Sequence, residues 1–198
     1  KLLVMGADDD IIGKLESQNS NETIREKFNI PKTDFLIVTG GKIDEFKWQT
    51  LNLMDAINQL SFDTFQLIIF GSVDKSLKKE FNKLKNGNIY YAGWLDAIES
   101  YQYFDSADLV IFPGRHSIYW EQVVGQQKPL ICKKWEGIDH IDIGGNVEFL
   151  ETDNIDEIKN ILQKIKDKPE FFDKMKKSAK HKSSYRFRYS KIAENSLK

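Results

Sequence analysis

The chain has 198 residues, 40% of them apolar and 12% aromatic, with 29 basic side chains set against 30 acidic ones. So even a balance argues against a general nucleic-acid binder, and the apolar share is large enough to bury a core, which argues against disorder. The single cysteine, Cys132, excludes a disulfide framework and a four-cysteine zinc site; its apolar run "PLICKK" reads as the reduced core of a cytosolic protein.

No apolar run reaches the roughly 18 residues a membrane-spanning helix needs, and the opening "KLLVMG" is too short for the apolar region of a signal peptide. The first residue is not methionine, and the sequence is expected to be a piece of a longer protein. Residues 1–20 read as an extended, polar lead-in from a neighbouring domain, and 21–198 as one domain. Strands are predicted over "FLIVTGG" (35–41), "FQLIIFG" (65–71), "NIYYAGW" (88–94), "DLVIFPG" (108–114), "KPLICK" (128–133) and "NVEFLE" (146–151). Helical patterns fall between and after them, over 48–60, 75–85, 97–107, 117–126 and 155–166, with a long basic pattern from Pro169 onward. Several strands are unbroken apolar runs, as in parallel sheets covered on both faces. The expected fold is therefore α/β: a Rossmann-like, doubly wound parallel sheet of about six strands.

Gly71, Gly93 and Gly114 all fall just past strand ends, on the edge where open α/β sheets bind ligands. On the same edge, "TGGKIDEFK" (39–47) follows the first strand. Gly40 and Gly41 lack a Cβ and let an anion approach the backbone, a helix starting near Phe46 or Lys47 would add its dipole, and Lys42 and Lys47 would supply charge to a diphosphate. A solvated turn with two surface lysines is the alternative. "FPGRHSIYWEQ" (112–122) is the second dense segment. It brings Arg115, His116 and Ser117 to a helix start, where Ser117 suits a cap. Glu121 and Gln122 follow about one turn inside; Glu121 suits a carboxylate accepting from sugar or ribose hydroxyls, or is a plain surface glutamate. Adjacent Ser and His do not make a triad, and there is no Gly-x-Ser-x-Gly elbow. "ADDDII" (7–12) reads as a polar turn or helix cap rather than a magnesium site, and His116, His140 and His181 lack zinc spacing, so no metal is expected. "EGIDHIDIGGN" (136–146) either closes over a ligand or is a long connection. The tail 174–191 carries eight Lys or Arg and no acid, which suits a solvated helix face or an anionic membrane surface.

Taken together these segments resemble the C-terminal, donor-binding half of a GT-B glycosyltransferase, near the family 4 retaining enzymes, from about Gly6 to the end of the chain. "GADDDII" resembles the family's interdomain segment. "GGKIDEFK" is similar to its Gly-Arg…Lys segment, with Lys42 in the arginine's place and Lys47 matching the lysine. "IYYAGWL" resembles the strand and loop beside the nucleotide base, which implies that Trp94 and Leu95 lie there. "SADLVIFPG" gives the most specific match, "WEQVVGQQKPLI" resembles the glutamate-bearing helix and next strand, and "KDKPEFFDKMKKSA" resembles the closing helices. The family carries a pair of glutamates at fixed spacing. Here Gly114 stands where the first would be, with Arg115 and His116 in its region, and Glu121 is preferred over Gln122 as the second, a ribose ligand.

The resemblance implies transfer of a hexose-type sugar from a UDP-, GDP- or other nucleoside diphosphate sugar to a glycan or lipid-linked acceptor, with retention and without a metal or other cofactor. Lys42, Lys47 and helix N–H groups would stabilise the leaving diphosphate, and His116 or Ser117 would hold its distal phosphate or the sugar. The acceptor would bind a missing N-terminal domain, leaving this fragment nearly inactive alone. "WEQ" and "HIDIGGN" suggest bacterial surface polysaccharide synthesis, in the cytoplasm or peripherally at the inner face of the membrane. Two alternatives stay open: a GT-B-like epimerase half, and a non-catalytic nucleotide-sugar binding or assembly module.

Overall fold

The computed structural model describes residues 5–17, 20–60 and 64–197. Two helices, α1 (Asp9–Ser17) and α2 (Ser20–Lys27), precede the alternating series β1 (Phe35–Gly40), α3 (Thr50–Gln59), β2 (Phe65–Phe70), α4 (Lys78–Leu84), β3 (Ile89–Gly93), α5 (Ala97–Ser106), β4 (Leu109–Phe112), α6 (Tyr119–Gly125) and β5 (Leu130–Lys133). After a loop come β6 (Val147–Leu150), α7 (Ile155–Asp167), α8 (Pro169–Ala179), a 3-10 helix (Lys182–Phe187) and α9 (Tyr189–Ser196). All six strands pair in parallel, in the order β3-β2-β1-β4-β5-β6. This is the doubly wound sheet that the apolar runs imply.

Alternation along each strand feeds two cores. Ile37, Leu67, Ile69, Ile111 and Ile131 meet Leu53, Met54 and Ile57 of α3, with Leu162 of α7 and Met175 of α8, on one face. Leu36, Val38, Phe70, Val110 and Cys132 meet Phe104 of α5, Trp120 and Val124 of α6, and Phe187 on the other. An unbroken apolar run is thus what a strand covered on both faces requires. Helix starts follow local chemistry: Asp96 and Glu99 form a reciprocal capping box on α5, Asn154 caps α7 through the Glu157 N–H, and Pro169 opens α8.

Two expectations are corrected. The lead-in is not extended: the Asp8 carboxylate accepts from the N–H groups of Asp10 and Ile11, which caps α1, and Ile12 and Leu15 pack on Tyr101. Asp9 in turn accepts from the Ser190 N–H and hydroxyl, so two members of the Asp triplet serve the fold. Residues 1–4 and 18–19 of that segment lie outside the described residues. The basic tail is not one helix either. It divides into α8, the 3-10 helix and α9 because Ser184 and Phe187 are drawn into the interior. Lys176, Arg186, Arg188 and Lys191 within it hold protein partners.

Gly71 is where the fold is least forgiving. Its φ is +114°, and a Cβ there would sit 1.9 Å from the Gly41 carbonyl oxygen. Gly71→Ala should lower the unfolding free energy by about 2–4 kcal/mol, from positive-φ strain plus overpacking, read as a fall in the urea midpoint at unchanged slope.

Candidate functional site

Strand order reverses between β1 and β4. From β1 the chain moves outward to β2 and β3, then returns to the other side of β1 as β4. Loops leaving the C-terminal ends of β1 and β4 therefore diverge and leave a crevice between them. One narrow cleft there is lined by Thr39, Gly40, Lys42, Lys47 and Thr50 from the first loop and by Phe112, Pro113, Gly114, Arg115 and Ser117 from the second.

Gly40 and Gly41 build the first wall by letting neighbours come close. The Phe70 ring occupies the space where a Gly40 Cβ would stand, and Gly41, at φ +115°, donates its N–H to the Phe70 carbonyl at 3.0 Å. That donor is used inside the sheet, so Gly41 contributes shape and not an anion contact. The expected helix start near Phe46 or Lys47 is corrected to Thr50, because the Asp44 carboxylate holds the N–H groups of Phe46 and Lys47 (2.9 and 3.1 Å) in a turn.

The two lysines differ. Lys42 is 67% exposed in its side chain and pairs with Asp44 at 3.0 Å. The hydrogen bond to Asp44, and then its charge, raise the Lys42 pKa. Burial pushes the Asp44 carboxyl up, but bonds from Lys42 and from the Phe46 and Lys47 N–H groups outweigh it and leave the pKa lowered. Lys47 is half-buried, and that burial lowers its pKa, with Asp44 opposing.

On the second wall, Gly114 leaves room for the Gln49 side-chain oxygen, which would lie 2.8 Å from a Cβ there, and the Trp135 indole N–H donates to the Gly114 carbonyl at 3.4 Å. Arg115 places its guanidinium over the Phe46 ring at 4.8 Å, bridging the two loops. Ser117 accepts from the Tyr119 N–H at 3.4 Å as α6 begins.

Beside the cleft, α6 carries Glu121 with its side chain only 4% exposed. His116 Nε2 lies 3.2 Å from Glu121 Oε1 and 3.3 Å from Oε2, and His140 Nε2 lies 3.1 Å from Oε1. Gln122 turns the other way and donates to the Ser100 hydroxyl, so the structure brings Glu121, and not Gln122, to His116. Leu95 is buried in the second core, and Trp94 is 77% exposed beyond β3; neither lines the cleft. The sequence offered His140 only as a histidine without zinc spacing, in a loop that either closes over a ligand or is a long connection. That loop is Asp- and Gly-rich and lies beyond the C-terminal end of β5.

No family model and no curated protein matches this chain. Solved structures do. A glycosyltransferase from Rickettsia africae superimposes with a TM-score of 0.77 at 15% identity, over 100% of this chain and 55% of that one. The HepE protein of Anabaena, in complex with UDP, gives 0.77 at 17% identity, over 97% and 54%. The chain has the fold of a GT-B C-terminal domain. UDP-GlcNAc 2-epimerase from Neisseria meningitidis, bound to UDP-GlcNAc, matches this GT-B domain fold with a TM-score of 0.70 at 13% identity, over 94% of this chain and 49% of that one. The chain spans about half the length of these structures.

The Lys47 environment sets a pH-dependent stability. With its folded pKa below the ordinary 10.5, the folded state binds fewer protons than the unfolded one between the two values, so stability rises with pH across that window. Lys47→Met should be more stable than the wild type at pH 7, and urea titrations should show this gap closing as pH approaches 10.5.

Proposed function

We propose that this domain binds the nucleoside diphosphate sugar donor of a glycosyltransferase. The observation that carries the reading is the convergence of Lys42 and Lys47 with Gly114, Arg115 and Ser117 on one cleft at the reversal of strand order. Three cations from two separate loops form a setting for a diphosphate, and Lys47, held partly out of water, exerts its charge through less screening than a surface lysine does.

In transfer, the bond between the anomeric carbon and the diphosphate oxygen breaks, and the leaving diphosphate gains negative charge. Lys42, Lys47 and Arg115 stabilise that charge, while contacts to the rest of the nucleotide hold the anomeric carbon in place for the acceptor. The cationic groups supply this compensation themselves, which supports a reaction without a metal. The donor is a UDP or GDP hexose and the reaction is retaining. The acceptor is a glycan or lipid-linked saccharide bound by a second domain, in bacterial surface polysaccharide synthesis at the cytoplasmic side of the membrane. This chain alone binds donor and transfers little. Among the described residues no helix is long and apolar enough to cross a membrane.

A second reading, half of a nucleotide-sugar epimerase, is favoured by the likeness to the Neisseria epimerase and by the imidazole–carboxylate cluster beside the cleft. It requires isomerisation of the donor with no acceptor present.

Calorimetry of the chain with UDP and GDP, with and without EDTA, should give micromolar-to-millimolar binding that EDTA leaves unchanged; no heat with either would overturn the donor-site reading. Lys47→Ala should weaken the preferred nucleotide by roughly 10- to 100-fold, as expected for a lost charge-assisted contact, and the corresponding nucleoside by less than about twofold. Equal losses for both would assign Lys47 to folding instead.

A further inference from the structure

Glu121 raises a question that the donor cleft does not answer. A buried carboxylate must have donors for its lone pairs, and the donors here are two imidazoles from different loops, His116 before α6 and His140 between β5 and β6. Both approach through Nε2. With the carboxylate ionised and the rings neutral, each Nε2 donates to Glu121 and each Nδ1 is left as an acceptor, an arrangement that imidazole spectra test. Among the described residues neither Nδ1 has a protein partner, and neither is a buried unpartnered atom. Both rings are partly open, with side-chain exposures of 34% for His116 and 37% for His140 against 4% for Glu121. Each is also held from behind: His116 stands edge-on to the Trp120 ring at 4.8 Å, and Arg186 donates to the His140 carbonyl.

We propose that His116 and His140 are the ligand-contacting groups at this end of the site, through Nδ1, and that Glu121 is a positioning residue that sets their tautomers from beneath. Acceptors suit hydroxyl donors and not phosphate, which at neutral pH offers chiefly acceptors. The ligand part is therefore a hydroxyl-bearing ring of the donor. It is assigned to the transferred sugar, with the ribose as the alternative that comparing sugar ester with free diphosphate separates, while the diphosphate goes to the cationic cleft that Arg115 and Ser117 share. This assignment rests on the donor-site reading, and it moves the hydroxyl contact from the carboxylate to the imidazoles in front of it.

Two measurements on the full chain test it. Long-range 1H–15N spectra of the imidazoles, without ligand, should show both rings in the Nε2–H form, and Glu121→Met should turn both into tautomer mixtures. Wild-type rings in the Nδ1–H or the doubly protonated form would overturn the inference, as would rings unaffected by Glu121→Met. Calorimetry should then compare UDP with UDP-glucose, UDP-galactose and UDP-N-acetylglucosamine, and GDP with GDP-mannose, in the wild type and in His140→Phe, which keeps a ring against Phe187. The variant should bind the preferred sugar ester about tenfold more weakly and the free diphosphate as before. Equal effects on ester and diphosphate would overturn this inference alone and leave the donor cleft standing. A wild type that binds neither UDP nor GDP would instead overturn the donor-site reading, and the sugar contact with it.

Discussion

The site depends on β1 and β4 lying side by side although five elements, α3 to α5, separate them in the chain. Their ladder is short, Ile37 against Leu109 and Val38 against Val110, and it is clasped at its base by Asp108. The Asp108 carboxylate accepts from the Leu36 N–H at 2.7 Å and from Arg25 of α2 at 2.8 Å. A charge-assisted bond at this point stabilises the two strands in register and draws α2 onto the sheet. Because β1 continues to β2 on one side and β4 to β5 on the other, the loops at the opposite end must part. The cleft is the geometric result of that parting.

Charge in the cleft is unevenly arranged, and burial decides which charge matters most. Lys42 is largely solvated and shares its charge with Asp44, so water and the counterion screen it. Among the described residues Lys47 has no such close partner, and it has lost part of its hydration, which is a standing electrostatic cost. Asp44 fixes the turn that aims Lys47, so one carboxylate shapes the loop while softening its more exposed cation.

Most of the fold was legible because parallel strands covered on both faces leave an apolar run that polar loops cannot imitate, as in "DFLIV" and "FQLIIF". Residues whose role depends on local turn chemistry were harder. The Asp triplet reads as a polar turn or helix cap, and a cap is what Asp8 forms; what the sequence hides is the helix it starts, in a segment that reads as extended. Turn chemistry at Asp44 delayed the helix after β1. Glu121 and Gln122 are neighbours in sequence, and only the helix phase shows that one faces His116 and the other Ser100. The pairing of His140 was beyond reach: its contact with Glu121 crosses a strand and an irregular loop, and neither has a periodicity that would reveal it. Leu95, assigned by resemblance to the nucleotide base, faces the interior because its apolar side chain completes the core around α5.

The ends of the chain meet behind the loop that carries His140. Ala7 donates to the Phe187 carbonyl at 2.7 Å and accepts from the Tyr189 N–H at 2.9 Å, while Arg186, one residue away, holds the His140 carbonyl. The knot that ties head to tail is thus also the anchor of that loop. The resting place of His140 is therefore set by the pairing of Ala7 with Phe187 and Tyr189 as much as by the sheet beneath it.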